Sequence, residues 1–210
     1  MSNRDGMTFL TTQEPQRPVG RHPDDFYATP RWATVAMLSE GAWPTMATLV
    51  LEPSCGNGAI LDALKETLRK VSGPVRRFVG IELNRQRAMA ARDRGHNVEV
   101  ADFLASTDIG DDLTWVVGNP PFSLAQEFTE HSLSIVPVGS RVTFLLRLAF
   151  LSSHRRAHLY EGDSGFRYLQ VLPRRPSFTP DGGTDKYDYA WFTWERGYQG
   201  PATVTRLEAR

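Results

Sequence analysis

The sequence predicts an α/β protein with a mostly parallel sheet of seven strands, helices on both faces and an antiparallel edge. Three observations carry this. Short apolar runs alternate with segments of helical period from residue 49 to 146, as in successive βαβ units. Each helical segment is bounded by Pro or Gly signals. The last two apolar runs have no helical segment between them, only the turn-rich 180–183.

Taken in order, Thr29 followed by Pro30 reads as a helix start, with Trp32, Val35, Ala36 and Leu38 at helical spacing behind it. The run 49–51 is a strand, and Ile60, Leu61, Leu64 and Leu68 mark a helix that Gly73 and Pro74 stop. A strand over 78–81 leads to a helix over 85–94 with Gly95 as its C-terminal cap. Strands follow at 98–100 and 115–117, then a helix over 124–136 and strands at 142–146, 168–172 and 189–194. Residues 1–23 carry Pro15, Pro18 and Pro23 without periodicity and read as a mobile tail, leaving 24–210 as one domain with no separate recognition domain. The stretch 148–166 is the one candidate insertion.

With 210 residues, 40% hydrophobic and 23% charged, the chain can bury a core without staples. Its 24 basic and 24 acidic residues exclude nucleic-acid binding by bulk charge alone. One cysteine excludes a disulfide framework and a Cys-rich zinc site, and no apolar run reaches the roughly 20 residues that span a bilayer. Charge is nevertheless segregated. Residues 101–140 hold six acids and no Lys or Arg, whereas 141–175 hold seven arginines and two acids. That pattern reads either as two solvated faces or as a basic wall beside a site.

In a parallel sheet, ligands bind beyond the carboxyl ends of the strands, and four motifs fall there. The first is Glu52-Pro53-Ser54-Cys55-Gly56-Asn57-Gly58, a strand entering a Gly-x-Gly turn. A dinucleotide fingerprint needs a glycine where Leu61 stands, and Glu52 suits a ligand with a cationic amino group better than a pyrophosphate. The second is Glu82-Leu83, where a strand-end acid can accept from ribose hydroxyls. In the third, Asp102-Phe103, the acid can accept from an adenine amino group while the ring covers the base, or the pair can be a helix cap and a core residue. The fourth, Asn119-Pro120-Pro121-Phe122, is the most specific: two prolines stiffen a loop presenting an amide oxygen, the Pro120 carbonyl and an aromatic face. Two acceptors beside a stacking ring are what a planar substrate's amino group requires.

Asn119-Pro120-Pro121-Phe122 together with 52–58 resembles the S-adenosylmethionine-dependent adenine-N6 methyltransferases, which implies a Rossmann-like class I methyltransferase fold. The motif order, with Tyr27-Ala28-Thr29-Pro30 ahead of the glycine turn, resembles the gamma group of DNA adenine methyltransferases. The stretches 175–178 and 187–194 resemble the tail of phage and prophage members. The resemblance spans residues 24–196. It implies that Glu52, Pro53, Ser54, Gly56, Asn57 and Gly58, with Tyr27, Thr29 and Pro30, line the methionine part of the cofactor. Glu82 and Leu83 would take the ribose, and Asp102 and Phe103 the cofactor adenine. Asn119, which also touches the cofactor, Pro120 and Phe122 would be catalytic, with Pro121 beside the target base. Arg147, Arg155, Arg156, Arg174 and Arg175 are candidate phosphate contacts. The resemblance further implies a cytoplasmic enzyme of a bacterial or phage-infected cell, acting on DNA by base flipping with short or relaxed specificity and without a metal. RNA is an open alternative, as are a protein-glutamine methyltransferase and a non-catalytic subunit of the same fold. The scattered histidines, His154 and His158 among them, lack a metal-site pattern.

Overall fold

The computed structural model of the chain describes residues 27–44, 47–71, 77–107, 109–110, 112–178 and 183–208. The tail expected over 1–23 lies outside them.

The described elements are α1 (Arg31–Ser39), β1 (Leu49–Pro53), α2 (Ala59–Val71), β2 (Arg77–Glu82), α3 (Arg85–Asp93), β3 (Asn97–Val100), β4 (Leu113–Gly118), α4 (Ala125–Ile135), β5 (Arg141–Arg147), β6 (Phe166–Val171), β7 (Tyr189–Glu195) and β8 (Thr203–Arg206). They build one eight-stranded sheet in the order β3-β2-β1-β4-β5-β7-β6-β8. β3, β2, β1, β4 and β5 are mutually parallel, and β7 is antiparallel to both β5 and β6. The antiparallel pairing predicted for the end of the sheet is present. It comes from the single reversed strand β7, inserted between β5 and β6.

β8 is the element the sequence reading omitted. Thr203-Val-Thr-Arg206 is short, polar and mostly exposed, with no apolar run to announce it, and it pairs in parallel with β6. At the start of α1, Pro30 occupies the cap position without a side-chain hydrogen bond, and Thr29, predicted as the cap, is buried instead.

Period-2 alternation divides the core between the two faces. Leu49 and Leu51, Phe144 and Leu146, and Phe192 and Trp194 face one side, where Phe103, Phe128, Phe150 and Leu159 cover them. Val50, Leu145, Tyr189 and Trp191 face the other, against Ala33 and Met37 of α1 and Ile60 and Leu64 of α2. The indole of Trp191 donates to the Ala33 carbonyl at 2.9 Å, tying α1 to the middle of the sheet.

The segment 148–166 packs partly against the sheet. Its two 3-10 turns, Leu148–Leu151 and His154–Leu159, run back across the sheet face. Phe150 and Tyr160 pack on Phe192 there, and the Trp194 indole donates to the Leu159 carbonyl at 2.7 Å.

Candidate active site

The carboxyl ends of β1, β2, β3 and β4 open into one cavity of about 590 Å³. Glu52, Ser54, Asn57, Glu82, Leu83, Asp102, Phe103, Asn119 and Pro121 line it, with Tyr27 and Thr29 closing it from the segment before α1. Four motifs spread from residue 52 to residue 121 therefore share one space with the segment that begins at Tyr27.

The turn after β1 is shaped by its backbone. Ser54, Gly56 and Gly58 all have positive φ, at 55°, 55° and 83°. A Cβ at Gly58 would lie 2.6 Å from the His96 ring, so glycine is required there on two counts. At Gly80 on β2 a Cβ would meet the Cys55 sulfur at 2.6 Å, which lets the turn lie against the neighbouring strand. Burial and the adjacent Glu52 and Glu82 hold the Cys55 thiol far above its ordinary pKa, so it is a packing residue and not a nucleophile.

Two buried acids differ in their surroundings. Glu82 accepts from the Gly56 and Asn84 N–H groups, both at 2.8 Å, and pairs with the Arg87 guanidinium at 3.2 Å. Glu52 accepts from the Leu61 N–H at 3.2 Å. Burial pushes the Glu52 carboxyl well above the usual carboxylate range; the Leu61 hydrogen bond opposes this and the Glu82 charge adds to it. Asp102 caps the short turn Phe103–Ala105 by accepting from the Leu104 N–H at 3.0 Å while lining the cavity. Phe103 is largely committed to the core. Its ring lies 5.2 Å from Phe128 and edge-on to His131, leaving 3% exposed, so it forms the cavity's floor and is no free stacking plate.

The Asn119 amide is oriented by one contact. Its Nδ2 donates to the Tyr27 carbonyl at 3.2 Å, and its Oδ1 is buried with no hydrogen-bond partner among the described residues. An unpaired buried carbonyl oxygen costs about 1–3 kcal/mol, so the loop holds an acceptor ready for a donor from outside the chain. Asn57 Oδ1 is a second such orphan on the same cavity.

Phe122 sits among aromatic rings: Tyr27 stacked at 5.8 Å between centroids, Tyr189 at 5.5 Å and Phe178 at 6.3 Å. The Arg147 guanidinium lies 4.7 Å from the same ring and 4.1 Å from that of Tyr187, and its Nε donates to the Tyr189 hydroxyl at 3.3 Å. Of the other predicted arginines, Arg174 stacks on Trp32 and Arg175 pairs with Asp188, both beyond strand ends on the cavity's side of the sheet. Arg156 turns back to the Phe150 carbonyl at 2.8 Å, and Arg155 is exposed on the same turn, His154–Leu159.

Sequence reasoning missed Arg87, Phe178, Tyr187, Tyr189 and the support behind the glycine turn. There the His96 ring bridges Asp62, at 2.7 Å, and Lys65, at 2.9 Å, while Arg94 donates to the Asn57 carbonyl at 3.2 Å. Burial, with Lys65 and Arg94 nearby, lowers the His96 pKa to about 4, so the ring is neutral and packs against Gly58. Asp62 and Lys65, one helical turn apart on α2, were the available signal. Among the described residues no group of three or more His, Cys, Asp or Glu is placed to hold a metal ion, and no helix is long and apolar enough to cross a membrane.

The sheet order and the cavity at its carboxyl edge define a class I methyltransferase fold. A protein of Listeria monocytogenes assigned to the class I S-adenosylmethionine-dependent methyltransferases superposes with a TM-score of 0.71 at 16% identity, covering 91% of this chain and 68% of that one. The methyltransferase subunit of a type I restriction-modification system from Streptococcus thermophilus gives a TM-score of 0.63 at 14% identity, covering 82% of this chain and 45% of that one. In sequence, the chain is 25% identical over 95 residues to the type II methyltransferase M.CvrRI of Paramecium bursaria Chlorella virus XZ-6E. That match takes in 45% of this chain and 24% of the viral protein, so the chain spans about a quarter of the length of the relative it matches. No protein-family profile matches the chain.

Proposed function

We propose that the chain is an S-adenosylmethionine-dependent methyltransferase that modifies the exocyclic N6 amino group of adenine in DNA. The observation that carries this reading is Asn119. Its donor side is occupied by Tyr27, its acceptor side is buried and unpaired, and it opens into the same cavity as Glu52 and Glu82. The chain's likeness to M.CvrRI and to a restriction-modification methyltransferase subunit supports the methyltransferase part of this reading.

The cavity fits the cofactor on its own chemistry. Its volume of about 590 Å³ lies inside the range of roughly 300–1,000 Å³ typical of ligand sites. Two buried acids, one without an ion-pair partner among the described residues, and the Asn57 orphan oxygen suit a ligand with a cationic end and hydroxyl donors. Glu52, Asn57 and the backbone of 54–58 would hold the methionine part, Glu82 the ribose hydroxyls, and Asp102 the adenine amino group, above Phe103. S-adenosylmethionine, when bound, supplies a methyl group carried on a sulfonium.

The chain's own residues position the acceptor. An adenine amino nitrogen is a poor nucleophile because its lone pair is delocalised into the ring. Asn119 Oδ1 and the Pro120 carbonyl would accept its two N–H bonds, favouring a pyramidal nitrogen whose lone pair points into the cavity. Positioning and electrostatics then supply the rate. In a duplex the base must leave the stack to reach Phe122, with Arg147, Arg174 and Arg175 beside the entry as phosphate contacts.

The test offers labelled cofactor with duplex DNA, single-stranded DNA and RNA and identifies the methylated nucleoside by mass spectrometry. N6-methyldeoxyadenosine is the expected product. Label confined to RNA, or found on another base, would overturn the assignment.

A further inference from the structure

We propose that Tyr27 is a stand-in for the target base: its ring fills the stacking place on Phe122 in the free protein, and a flipped adenine replaces it. This rests on the adenine reading above.

Tyr27 touches both groups assigned to the target. Its carbonyl takes the Asn119 Nδ2 proton at 3.2 Å, and its ring lies on Phe122 with the two planes 21° apart. The rings are 5.8 Å apart between centroids. A base inserted between them needs two stacking layers of roughly 3.4 Å each, about 7 Å in all. The slot as it stands is too narrow, so an incoming base cannot share it with Tyr27.

What gives way is decided by anchorage. Arg147, which also lies on the Phe122 ring, is held by the Tyr187 ring and the Tyr189 hydroxyl, and that hydroxyl donates to Asp185 at 2.7 Å. Tyr27 lies in the 27–30 segment ahead of α1, in no helix or strand. Among the described residues, the rings it contacts are Phe122 and, at 5.5 Å, Phe178.

The stand-in is incomplete in a way that favours a base with an exocyclic amino group. A phenol ring satisfies the stacking face of Phe122 but leaves Asn119 Oδ1 unpaired. A base bearing an amino group satisfies both and displaces the ring; a base without one gains no more than the phenol already supplies. Discrimination then comes from pairing a buried acceptor, the strongest kind available to a binding site.

The experiment measures binding of single-stranded oligo(dA), whose bases need no flipping, and of an abasic oligomer of the same length, by anisotropy with the full chain and S-adenosylmethionine present. Methyl transfer to oligo(dA) is followed in parallel. Tyr27→Ala should tighten oligo(dA) about fivefold, the size of one aromatic pair released, and leave the abasic oligomer unchanged. Tyr27→Phe should match the native chain, and Tyr27→Trp should weaken oligo(dA). A gain in affinity cannot arise from a misfolded variant. Loss of oligo(dA) affinity in Tyr27→Ala would make the ring a permanent wall of the slot and overturn the proposal, as would an unchanged affinity. Failure of the native chain to bind or methylate oligo(dA) would overturn the adenine reading and this proposal together. Normal methylation with an unresponsive Tyr27→Ala would overturn the proposal alone.

Discussion

In the half of the sheet formed by β3, β2, β1 and β4, the polar groups of the cavity come from the strand ends themselves. Glu52 and Glu82 lie in β1 and β2, while Asn119 and Asp102 follow β4 and β3 by one and two residues. In the half formed by β5, β7, β6 and β8, the corresponding edge is a cluster of rings around one arginine, contributed from 27, 122, 147, 178, 187 and 189. The first half places single carboxylates and amides by local geometry. The second builds a surface from tertiary contacts. A strand end fixes a polar atom to the backbone, which suits a ligand bound the same way each time. A cluster of rings can exchange one planar group for another, which suits a base that enters and leaves.

The largest effect should come from breaking the second half at its core. Trp191 is fully buried and bonds to α1, so Trp191→Ala should cost about 3–5 kcal/mol, read from chemical denaturation. A cost under about 1 kcal/mol would mean that α1 and the ring cluster are not held through β7.

In the first half, the raised Glu52 carboxyl carries a linkage of definite sign. A folded carboxyl pKa above the unfolded one means that the folded chain binds more protons as pH rises through the ordinary carboxylate range, and stability therefore falls with rising pH from there up to the folded pKa. Glu52→Gln removes this, so the ligand-free variant should lose less stability than the native chain between pH 5 and 7 in parallel melts. Identical slopes would contradict the description of Glu52 as buried and without an ion-pair partner among the described residues. His96, lowered to about 4, contributes in the opposite sense, with stability lost as pH falls from about 6.5 toward 4. It is left intact in both proteins, so the difference between them isolates Glu52.

The smallest effect is expected at the rim. Arg175 is exposed and pairs with Asp188, so Arg175→Ala should leave the melting temperature unchanged. It should lower the salt dependence of DNA binding by about one unit of slope without changing base preference. An unchanged slope would remove Arg175 from the proposed DNA-facing edge.

The same division explains what the sequence reveals. The parallel half is readable because apolar runs, glycine turns and strand-end acids are contiguous, and all four motifs lie within five residues of a strand end. The ring cluster is not: Phe122 meets Phe178 and Tyr189 across 56 and 67 residues, and nothing in the spacing joins them. β8 is hidden because an exposed edge strand needs no apolar pattern. Phe103 is ambiguous in sequence because an aromatic after a strand end can be either plate or core; in the fold its ring packs on Phe128 of α4 while lining the cavity. Arg155 and Arg156 looked like phosphate contacts by charge alone. Arg156 instead satisfies backbone carbonyls of the turn 148–151, which no count of charges can anticipate.

The proposed catalytic role falls on Asn119, where the two halves meet. Asn119→Ala should keep S-adenosylmethionine affinity within about threefold by titration calorimetry while methyl transfer to DNA falls at least about a hundredfold, because the variant removes positioning of the amino group and leaves the cofactor cavity standing. A variant that binds the cofactor and still methylates DNA at close to the native rate would contradict it.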